Sequence, residues 1–539
     1  MITPRSIVAA VLAAAAAASA LAAQHPLITL PLADPAYAQL EGLARSGCGA
    51  ARVSPYRPYL VHTVRVALGE AKSESACRGV LLDALVARFG AGNSSFADSA
   101  FTSGALGAGG ELGLRATALG NGEFRPLWRD VRASADGSPS VVGIARGRVT
   151  WSGGQHLVAV SQLYAQSDMR NDPLVRARTF RTTKGVLDFD EAYLAGRTGP
   201  FVLSVGRSRD AWLGNGEESL VLAAHGPPMD RVAASARWDK WEIRALFGSI
   251  DDVVLDSVGD ALAPGVGTQR VHRMLAAHAI TYRPSSVWEF TLGETAVIGR
   301  RGSGIDLAFA NPAMLYIMTE HDTSRTGPGA DDDNLTAFGA VRLHLGRTAL
   351  TGELLVDDIQ IDAKDRAVTQ DQLGWHLAGS YALPLAAPAA LVVDYERLGS
   401  YTYLRRYYSL VYQQYGQPLG SELGPDAERV RGGAELWPSD RLRLAGGVTL
   451  WRRGAQRIDE RPGVTAVGMG GQSFPSQSVD RPYVQRTWMG DLSGEWLDAI
   501  IPITVRAELA HVDNVNNVPG ARGTYLRIHF AGSYRFRYP

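Results

Sequence analysis

The segment Tyr525 to Tyr538 constrains the fold more than any other stretch of the chain. Apolar or small residues occupy every second position from Leu526 onward, and polar or charged residues such as Arg527 and Arg535 lie between them. A period of two is that of a β-strand. Its 14 residues are long for a soluble strand, and the aromatic run near its end is typical of a membrane interface. The segment predicts the closing strand of a transmembrane barrel, with a soluble sandwich strand as the alternative.

Length and charge narrow the function classes. The chain has 539 residues, and its 54 basic side chains balance 54 acidic ones. This length exceeds one ordinary hydrophobic core, so the chain needs either several soluble domains or one very large closed sheet. Because there is no cationic excess to displace counterions from a phosphate backbone, we expect no nucleic-acid partner.

The first residues indicate export. Arg5 precedes an apolar run from Ile7 to Ala18, and Ala20-Leu21-Ala22 is a small-x-small cleavage site, so residues 1–22 are predicted to be a signal peptide. No later run approaches the 18 apolar residues of a transmembrane helix. An exported chain without such a helix spans a membrane only as a closed barrel, which predicts the bacterial outer membrane as the location.

Residues 24–100 differ from the rest, because their apolar residues recur at helical spacing. Asp34-Pro35 is typical of a helix start, and further helices are predicted from Pro58 and from Ala76 to Phe89. We expect a small periplasmic helical bundle, followed by a glycine-rich linker from Gly90 to Gly110.

Two cysteines are present, Cys48 and Cys77. In an oxidising compartment they are predicted to form a disulfide that closes a loop of about 30 residues. The alternative is a pair of unlinked buried thiols.

Residues 105–539 show the alternation repeatedly, with charge between apolar positions over about ten residues, the length a tilted strand needs to cross a bilayer. Arg441, Arg506 and Arg527 are expected to face the lumen, because exposing each to lipid near the midplane would cost about 2–4 kcal/mol. Short turns such as Asp239-Lys240 alternate with long polar loops such as Arg453 to Arg481. This part predicts a mainly β fold, a large antiparallel barrel of about 16 to 18 strands.

The order of several short motifs resembles that of a known family. The motifs are Leu30-Pro31-Leu32-Ala33-Asp34-Pro35-Ala36-Tyr37, Arg57-Pro58-Tyr59, Gly206-Arg207, Trp212-Leu213-Gly214-Asn215-Gly216, Asn311-Pro312, Asp333-Asn334-Leu335 and Gly352-Glu353-Leu354-Leu355-Val356-Asp357-Asp358. Together they resemble the capsule-assembly Wzi family across most of the mature chain. The resemblance implies an outer-membrane barrel with a periplasmic helical bundle, which attaches capsular or other surface polysaccharide in a lectin-like way. Expected partners are this polysaccharide, outer-membrane lipid and other capsule-export components.

Two segments carry candidate polysaccharide-binding residues. They combine arginines, carboxylate or amide groups and aromatic rings, which is the chemistry that binds sugars, and the arginines favour acidic ones. The alternative is interfacial aromatic residues with lumenal charges. The candidates are Arg207, Arg209, Trp212, Asn215 and Glu217 in the first segment, and Arg405, Arg406 and Tyr407 in the second.

No pattern predicts catalysis, a cofactor or a metal. Glu353 and Asp357 share a strand face and are a candidate acid pair, but a lumenal charge pair balanced by arginines is favoured. The oxygen-rich run from Asp331 to Asn334 lacks the EF-hand spacing and is interpreted as an exposed acidic loop. His272 and His278 are too far apart on one strand to share a metal. A non-enzymatic polysaccharide-binding barrel is the leading prediction, and a diffusion channel for small solutes, a porin, is the alternative.

Overall fold

The computed structural model describes residues 25–74, 77–90, 104–119, 140–167, 186–214, 218–255, 269–300, 307–320, 333–358, 371–405, 408–460, 474–478, 480–498 and 500–536. The predicted signal peptide lies outside these residues.

Eighteen antiparallel strands, β1 to β18, form a closed wall. Their bounds are Ala105–Leu119, Ser140–Ser152, Leu157–Gln166, Val186–Thr198, Phe201–Ser208, Met229–Trp238, Trp241–Ser249, Gln269–Tyr282, Trp288–Arg300, Asn334–Leu345, Thr348–Asp358, Gln372–Ala382, Ala389–Leu398, Ala427–Leu436, Leu442–Arg453, Gln485–Trp496, Ile503–Asp513 and Arg522–Phe536. Shorter strands lie at Tyr56–Arg57, Ala211–Trp212, Val253–Leu255, Gln413–Gln414 and Gln417–Pro418, and 3₁₀ turns at Gly49–Ala51, Tyr408–Leu410 and Val515–Asn517.

The first and last strands close the barrel. β1 pairs with β2 on one side and with β18 on the other, where Gly110 lies opposite Phe536. Closure pairs the backbone groups of both terminal strands, as a membrane interior requires. The prediction of a large antiparallel barrel with about 16 to 18 strands is confirmed.

The alternation along each strand separates two surfaces. On β18, Leu526, Ile528 and Phe530 are 46%, 47% and 42% exposed on the outer face, whereas Arg527 and Arg535 on the lumenal face are 5% and 7% exposed. An apolar outside and a charged inside are what a lipid-embedded barrel requires. Exposed Trp151, Trp238, Trp241, Trp288 and Trp496 lie near the short turns, where an aromatic girdle is expected.

The predicted linker from Gly90 to Gly110 extends too far, because β1 already begins at Ala105. Residues 91–103 lie outside the described part. A Cβ atom added to Gly110 would collide with the ring of Phe536 on the neighbouring strand. The glycine at this position therefore makes room for a cross-strand aromatic ring and does not indicate a linker.

Three helices precede the barrel, α1 Pro35–Arg45, α2 Val61–Ser73 and α3 Val80–Phe89. Asp34 caps α1 by accepting a hydrogen bond from the amide of Ala36 at 2.8 Å. The second helix begins three residues after Pro58, and Cys77 precedes the third helix. A disulfide joins Cys48 to Cys77, whose Cα atoms are 4.7 Å apart.

The segment containing these helices, described at residues 25–74 and 77–90, occupies the short-turn end of the lumen. Arg45 binds Glu435 of β14 at 2.9 Å, and the hydroxyl of Tyr193 on β4 contacts both the amide and the hydroxyl of Thr29. Gly42 faces the indole of Trp437 so closely that a Cβ atom there would overlap the ring. Contacts with strands on several sides of the wall fix the helical domain as a stopper at this end.

A second helical element lies on the outside of the barrel, between β9 and β10. Helices α4 Leu307–Ala310 and α5 Tyr316–Glu320 pack with Phe309 and Tyr316 against outer-face residues of β8 and β9. Leu307, Ile317 and Met318 remain exposed. Within the described residues, no helix is sufficiently long and apolar to cross a membrane.

Candidate functional site

Two of the long loops fold back into the lumen. The loop between β5 and β6, described at residues 209–214 and 218–228, contains the short strand Ala211–Trp212, which pairs with Tyr56–Arg57 of the helical domain. The loop between β13 and β14, described at residues 399–405 and 408–426, lies beside it, and the amide of Ala223 donates to the carbonyl of Leu419 at 2.9 Å. The helical domain and the two loops thus form one continuous plug.

The plug shares an apolar core with the lumenal wall. Tyr56, Trp212, Leu220 and Tyr412 are at most 1% exposed and belong to one buried cluster. Strand residues on several sides of the wall complete it; these are Leu246, Leu275, Leu355, Leu398, Trp451 and Val512. Close apolar packing excludes water, so this level of the barrel is filled in the part that the structure describes.

Buried wall residues hold the second loop. Arg273 of β8, with no exposed surface, donates to the carbonyls of Ser409, Val411 and Gln413 at 2.7, 2.6 and 2.9 Å and binds Asp251 at 2.9 Å. A guanidinium that satisfies three loop carbonyls fixes the loop in position. Arg273 is therefore an anchor and not a free lumenal cation.

The acidic pair on β11 has the same role. Glu353 accepts the amides of Gly214 and Leu220, and Asp357 accepts the amide of Tyr403 at 2.7 Å. Both carboxylates are buried, 3% and 5% exposed. They bind the backbone of the two loops, so their environment differs from the solvated pair that the sequence favours.

The first candidate segment does not form one surface. Arg207 binds Asp230 at 2.8 Å on the outer face, in line with exposed Leu203 and Val205, and Arg209 binds Asp190 at 2.8 Å. Trp212 has no exposed surface and packs edge-on against Tyr56, with ring centroids 5.3 Å apart. It therefore offers no ring face to a sugar in this conformation. Asn215 and Glu217 lie outside the described residues.

The second candidate segment is described only in part. Arg405 lies against the wall, where it donates to the carbonyls of Leu335 and Asp357 at 3.3 and 3.0 Å and contacts the Asp357 carboxylate at 3.3 Å. Arg406 and Tyr407 lie outside the described residues. The sugar-binding role of both segments stays a prediction.

The outward surface at the long-loop end is organised by one buried carboxylate, Asp426. Its oxygens accept the hydroxyl of Ser400 at 3.1 Å, the amide of Gln456 at 3.1 Å and the amide of Ser476 at 2.7 Å. Asp426 has no exposed surface. A fully hydrogen-bonded buried carboxylate fixes its donors firmly, so this residue joins the β13–β14 loop to the β15–β16 loop.

Asn517, in the turn between β17 and β18, joins further groups at this surface. Its side-chain amide donates to the carbonyls of Arg453 and Tyr483 at 3.0 and 2.7 Å, and its carbonyl oxygen accepts from Arg457. Arg481 donates to the carbonyl of Ala455 at 2.8 Å. We call Arg453, Arg457 and Arg481 the arginine cluster.

The charges of the arginine cluster are only partly balanced. Arg481 binds Glu460, but within the described residues Arg453 and Arg457 form no salt bridge with a carboxylate. Burial lowers the pKa of Arg457 to about 9, and the positive charges of Arg453 and Arg481 contribute to the same shift. Tyr483 beside them is 47% exposed. The long-loop face thus combines two guanidinium groups that have no carboxylate partner among the described residues with an accessible aromatic ring.

The sequence interpretation identified the stretch from Arg453 to Arg481 only as a long loop. The arginine cluster could have been suspected from the three arginines within six residues in Arg452-Arg453-Gly454-Ala455-Gln456-Arg457. Asp426 and Asn517 carried no such signal, because their role depends on contacts between loops that are far apart in the chain.

A family comparison identifies this barrel. Residues 130–481, about two-thirds of the chain, match the model of the family described as capsule assembly protein Wzi. The chain belongs to the Wzi capsule assembly family. The resemblance and the outer-membrane location predicted from the sequence are thereby confirmed.

One solved structure supports the fold of this Wzi family member. It is similar to Wzi of Escherichia coli, an outer-membrane protein involved in group 1 capsule assembly and described as a carbohydrate-binding β-barrel, with a TM-score of 0.54, 12% identity and coverage of 92% of this chain and 97% of that one. The OccD3 (OpdP) structure of Pseudomonas aeruginosa gives a TM-score of 0.45, 10% identity and coverage of 81% and 93%. None of the curated proteins compared matches the chain.

Proposed function

We propose that this protein binds capsular or other surface polysaccharide through its long-loop face and holds it at the cell surface without chemically changing it. Membership of a capsule assembly family carries the proposal. The carbohydrate binding described for the E. coli barrel of the same fold supports it.

The orientation follows from the loop lengths. Outer-membrane barrels have short periplasmic turns and longer extracellular loops. The helical domain at the short-turn end is accordingly assigned to the periplasmic side and the arginine cluster to the outside. Residues 1–22 serve as the signal peptide in this proposal.

The chemistry of the long-loop face favours an acidic polysaccharide. Arg453 and Arg457 have donors without carboxylate partners among the described residues, and a guanidinium binds a sugar carboxylate through two parallel hydrogen bonds. The exposed ring of Tyr483 has the size and polarity needed to pack against the apolar face of a sugar ring. The combination of these two arginines with the ring of Tyr483 therefore favours sugars of the uronic-acid type.

A diffusion channel is the less favoured function. The described part of the lumen contains a helical domain, two infolded loops and an apolar core shared with the wall. A water-filled pore requires a polar lumen that stays open. A filled lumen suits a surface receptor, which needs a rigid outer face and no solute path.

Deletion of the gene tests the proposal in cells. We expect the fraction of polysaccharide that sediments with the cells to fall and the fraction in the medium to rise, with total polysaccharide unchanged. Complementation with the wild-type gene should restore retention. Unchanged retention, together with no binding of cell-derived polysaccharide by the purified barrel, would refute the proposal.

A further inference from the structure

A second cluster of polar side chains lies deep in the lumen, away from the long-loop face. His376 on β12 and Asp394 on β13 are 1% and 4% exposed, and Glu218 of the first infolded loop lies beside them. One donor atom from each of these three residues lies within 4.8 Å of the others. Two oxygen or nitrogen ligands on opposite sides of a metal ion are separated by roughly 4–5 Å, so these atoms are close enough to share one ion.

The cluster has more negative than positive charge. Four carboxylates surround it, Glu218, Glu353, Asp394 and Glu396, whereas the cation that contacts three of them is Arg429. Arg429 is also 3.7 Å from a fifth carboxylate, Glu422. Even with a protonated His376 the negative charges outnumber the positive ones. Buried charges are tolerated only when they are compensated, so the cluster requires a further cation or several protons.

Buried atoms in the cluster lack hydrogen-bond partners. Among the described residues, one oxygen of Asp394 and one oxygen of Glu396 accept no hydrogen bond. Buried polar atoms in native proteins are nearly always paired, and an unpaired one indicates a missing ion or water. Two such atoms in one place constitute an observation independent of the charge imbalance.

The surroundings of His376 match those of a metal-binding histidine. Its Nδ1 lies 3.6 Å from a carboxylate oxygen of Glu353, and its Nε2 forms a 2.5 Å hydrogen bond with Asp394, whose proton a bound ion would replace. In metal sites the ring nitrogen that does not bind the metal usually donates to a carboxylate, which fixes the ring. Arg429 plays a comparable part for Glu218, whose carboxylate it holds at 2.8 Å.

We propose that Nε2 of His376 and the carboxylates of Asp394 and Glu218 bind one divalent transition-metal ion of the Zn²⁺ or Mn²⁺ class. One imidazole with two carboxylates is a ligand set that such ions accept. The ion connects the infolded loop, through Glu218, to two wall strands. It therefore secures the plug at the level where Glu353 holds the amide of Gly214.

The test uses the full-length barrel purified in detergent, without a polyhistidine tag, and measures bound metal by mass spectrometry. About one Zn²⁺ or Mn²⁺ per chain is expected after dialysis against buffer. Chelation with EDTA should lower the melting temperature, and Zn²⁺ should restore it. Co²⁺ added to the stripped protein should give visible absorption bands of a nitrogen- and oxygen-bound ion.

Two substitutions locate the ion. His376→Gln should remove the Co²⁺ bands and the response to Zn²⁺, and Glu353→Gln should weaken metal affinity by about 10- to 100-fold. His278→Gln is the matched control, since His278 also lies 3.6 Å from a carboxylate, that of Glu294 on the outer wall. If the wild-type protein binds no metal and EDTA leaves its melting temperature unchanged, protons neutralise the cluster and the proposal is wrong, even if the variants do not fold.

Discussion

Asp426 shows how a single residue supports the long-loop face. It has a left-handed backbone conformation, with φ of 61°, which aspartate tolerates better than most residues. Its side chain accepts hydrogen bonds from two separate loops, and its backbone carbonyl accepts the amide of Gly454 at 2.8 Å. The position of the arginine cluster therefore depends on a residue that has no exposed surface.

Asp426→Asn should detach the β15–β16 loop. The amide nitrogen of asparagine would face a donor such as the Ser476 hydroxyl or the Gln456 amide, and a buried unsatisfied donor costs about 1–3 kcal/mol. Tryptic cleavage after Arg457, which precedes Ile458, should accelerate by about 5- to 150-fold. Asp459→Asn, at an exposed position of the same loop, is the control and should leave cleavage unchanged.

The histidine His62 of α2 makes the stopper sensitive to acid. Burial lowers its pKa to about 4, and Arg197, Arg237 and Arg65 contribute to the shift. As the pH falls below the unfolded-state value of about 6.5, the unfolded chain gains a proton that the folded chain does not. Stability is therefore retained above pH 6.5 and lost toward pH 4, by at most about 3 kcal/mol, which solvent screening of the partly exposed ring reduces.

His62→Gln should reduce this acid sensitivity. Between pH 7.5 and pH 4.5, the melting temperature of the variant should fall less than that of the wild type, as measured by intrinsic fluorescence in detergent. His156→Gln, at an exposed position in a short turn, should keep the wild-type pH dependence. An equal decrease in all three proteins would contradict the assignment to His62.

At the scale of elements, the two infolded loops pack too closely to admit a side chain between them. A Cβ atom on Gly420 would overlap the carbonyl of Leu220 and the hydroxyl of Tyr403. The same hydroxyl donates a hydrogen bond to the carbonyl of Leu220 at 2.6 Å and accepts one from the amide of Ser421 at 3.1 Å. This glycine is thus required by the close approach of two backbones.

Gly420→Ala should separate the loops and loosen the plug. Overpacking of this kind costs about 1–3 kcal/mol, and single-channel recordings in planar bilayers should show openings that the wild type lacks. Gly432→Ala on β14 adds the same methyl group where no atom lies within 4 Å. Its single-channel recordings should match those of the wild type. Equal conductance of the two variants would indicate that loop packing does not seal the barrel.

The strands could be predicted from the sequence, whereas the plug could not. The alternation of apolar and polar residues specifies a lipid face and a lumenal face on β18 and on the two strands that the Asp239-Lys240 turn joins. Successive side chains of a strand point to opposite sides of the wall, and one side faces lipid. Nothing comparable marks Leu220 or Tyr412 as inward-folding, since loops in a lumen have no regular period. The same limit explains the prediction for Trp212. The composition of its segment predicted a sugar contact, although the ring of Trp212 completes the core.

At the scale of the molecule, the two ends of the barrel have different tasks. The helical domain closes the short-turn end through ion pairs and tight packing, as at Arg45 and Gly42. The infolded loops connect this stopper to the opposite face, where three loops meet at Asp426 and Asn517. A filled barrel gives the arginine cluster a rigid base, which reduces the entropy lost when a polymer binds.

The affinity of the purified barrel for the capsular polysaccharide of its host tests the central claim most directly. The double variant Arg453→Gln/Arg457→Gln should bind at least about 150-fold more weakly, because each of the two guanidinium groups contributes charge-assisted hydrogen bonds worth about 1.5–3 kcal/mol. Lys240→Gln, which removes one charge in a turn at the opposite end, should bind like the wild type. Wild-type affinity in the double variant, or a loss confined to Lys240→Gln, would contradict the assignment of polysaccharide binding to the long-loop face.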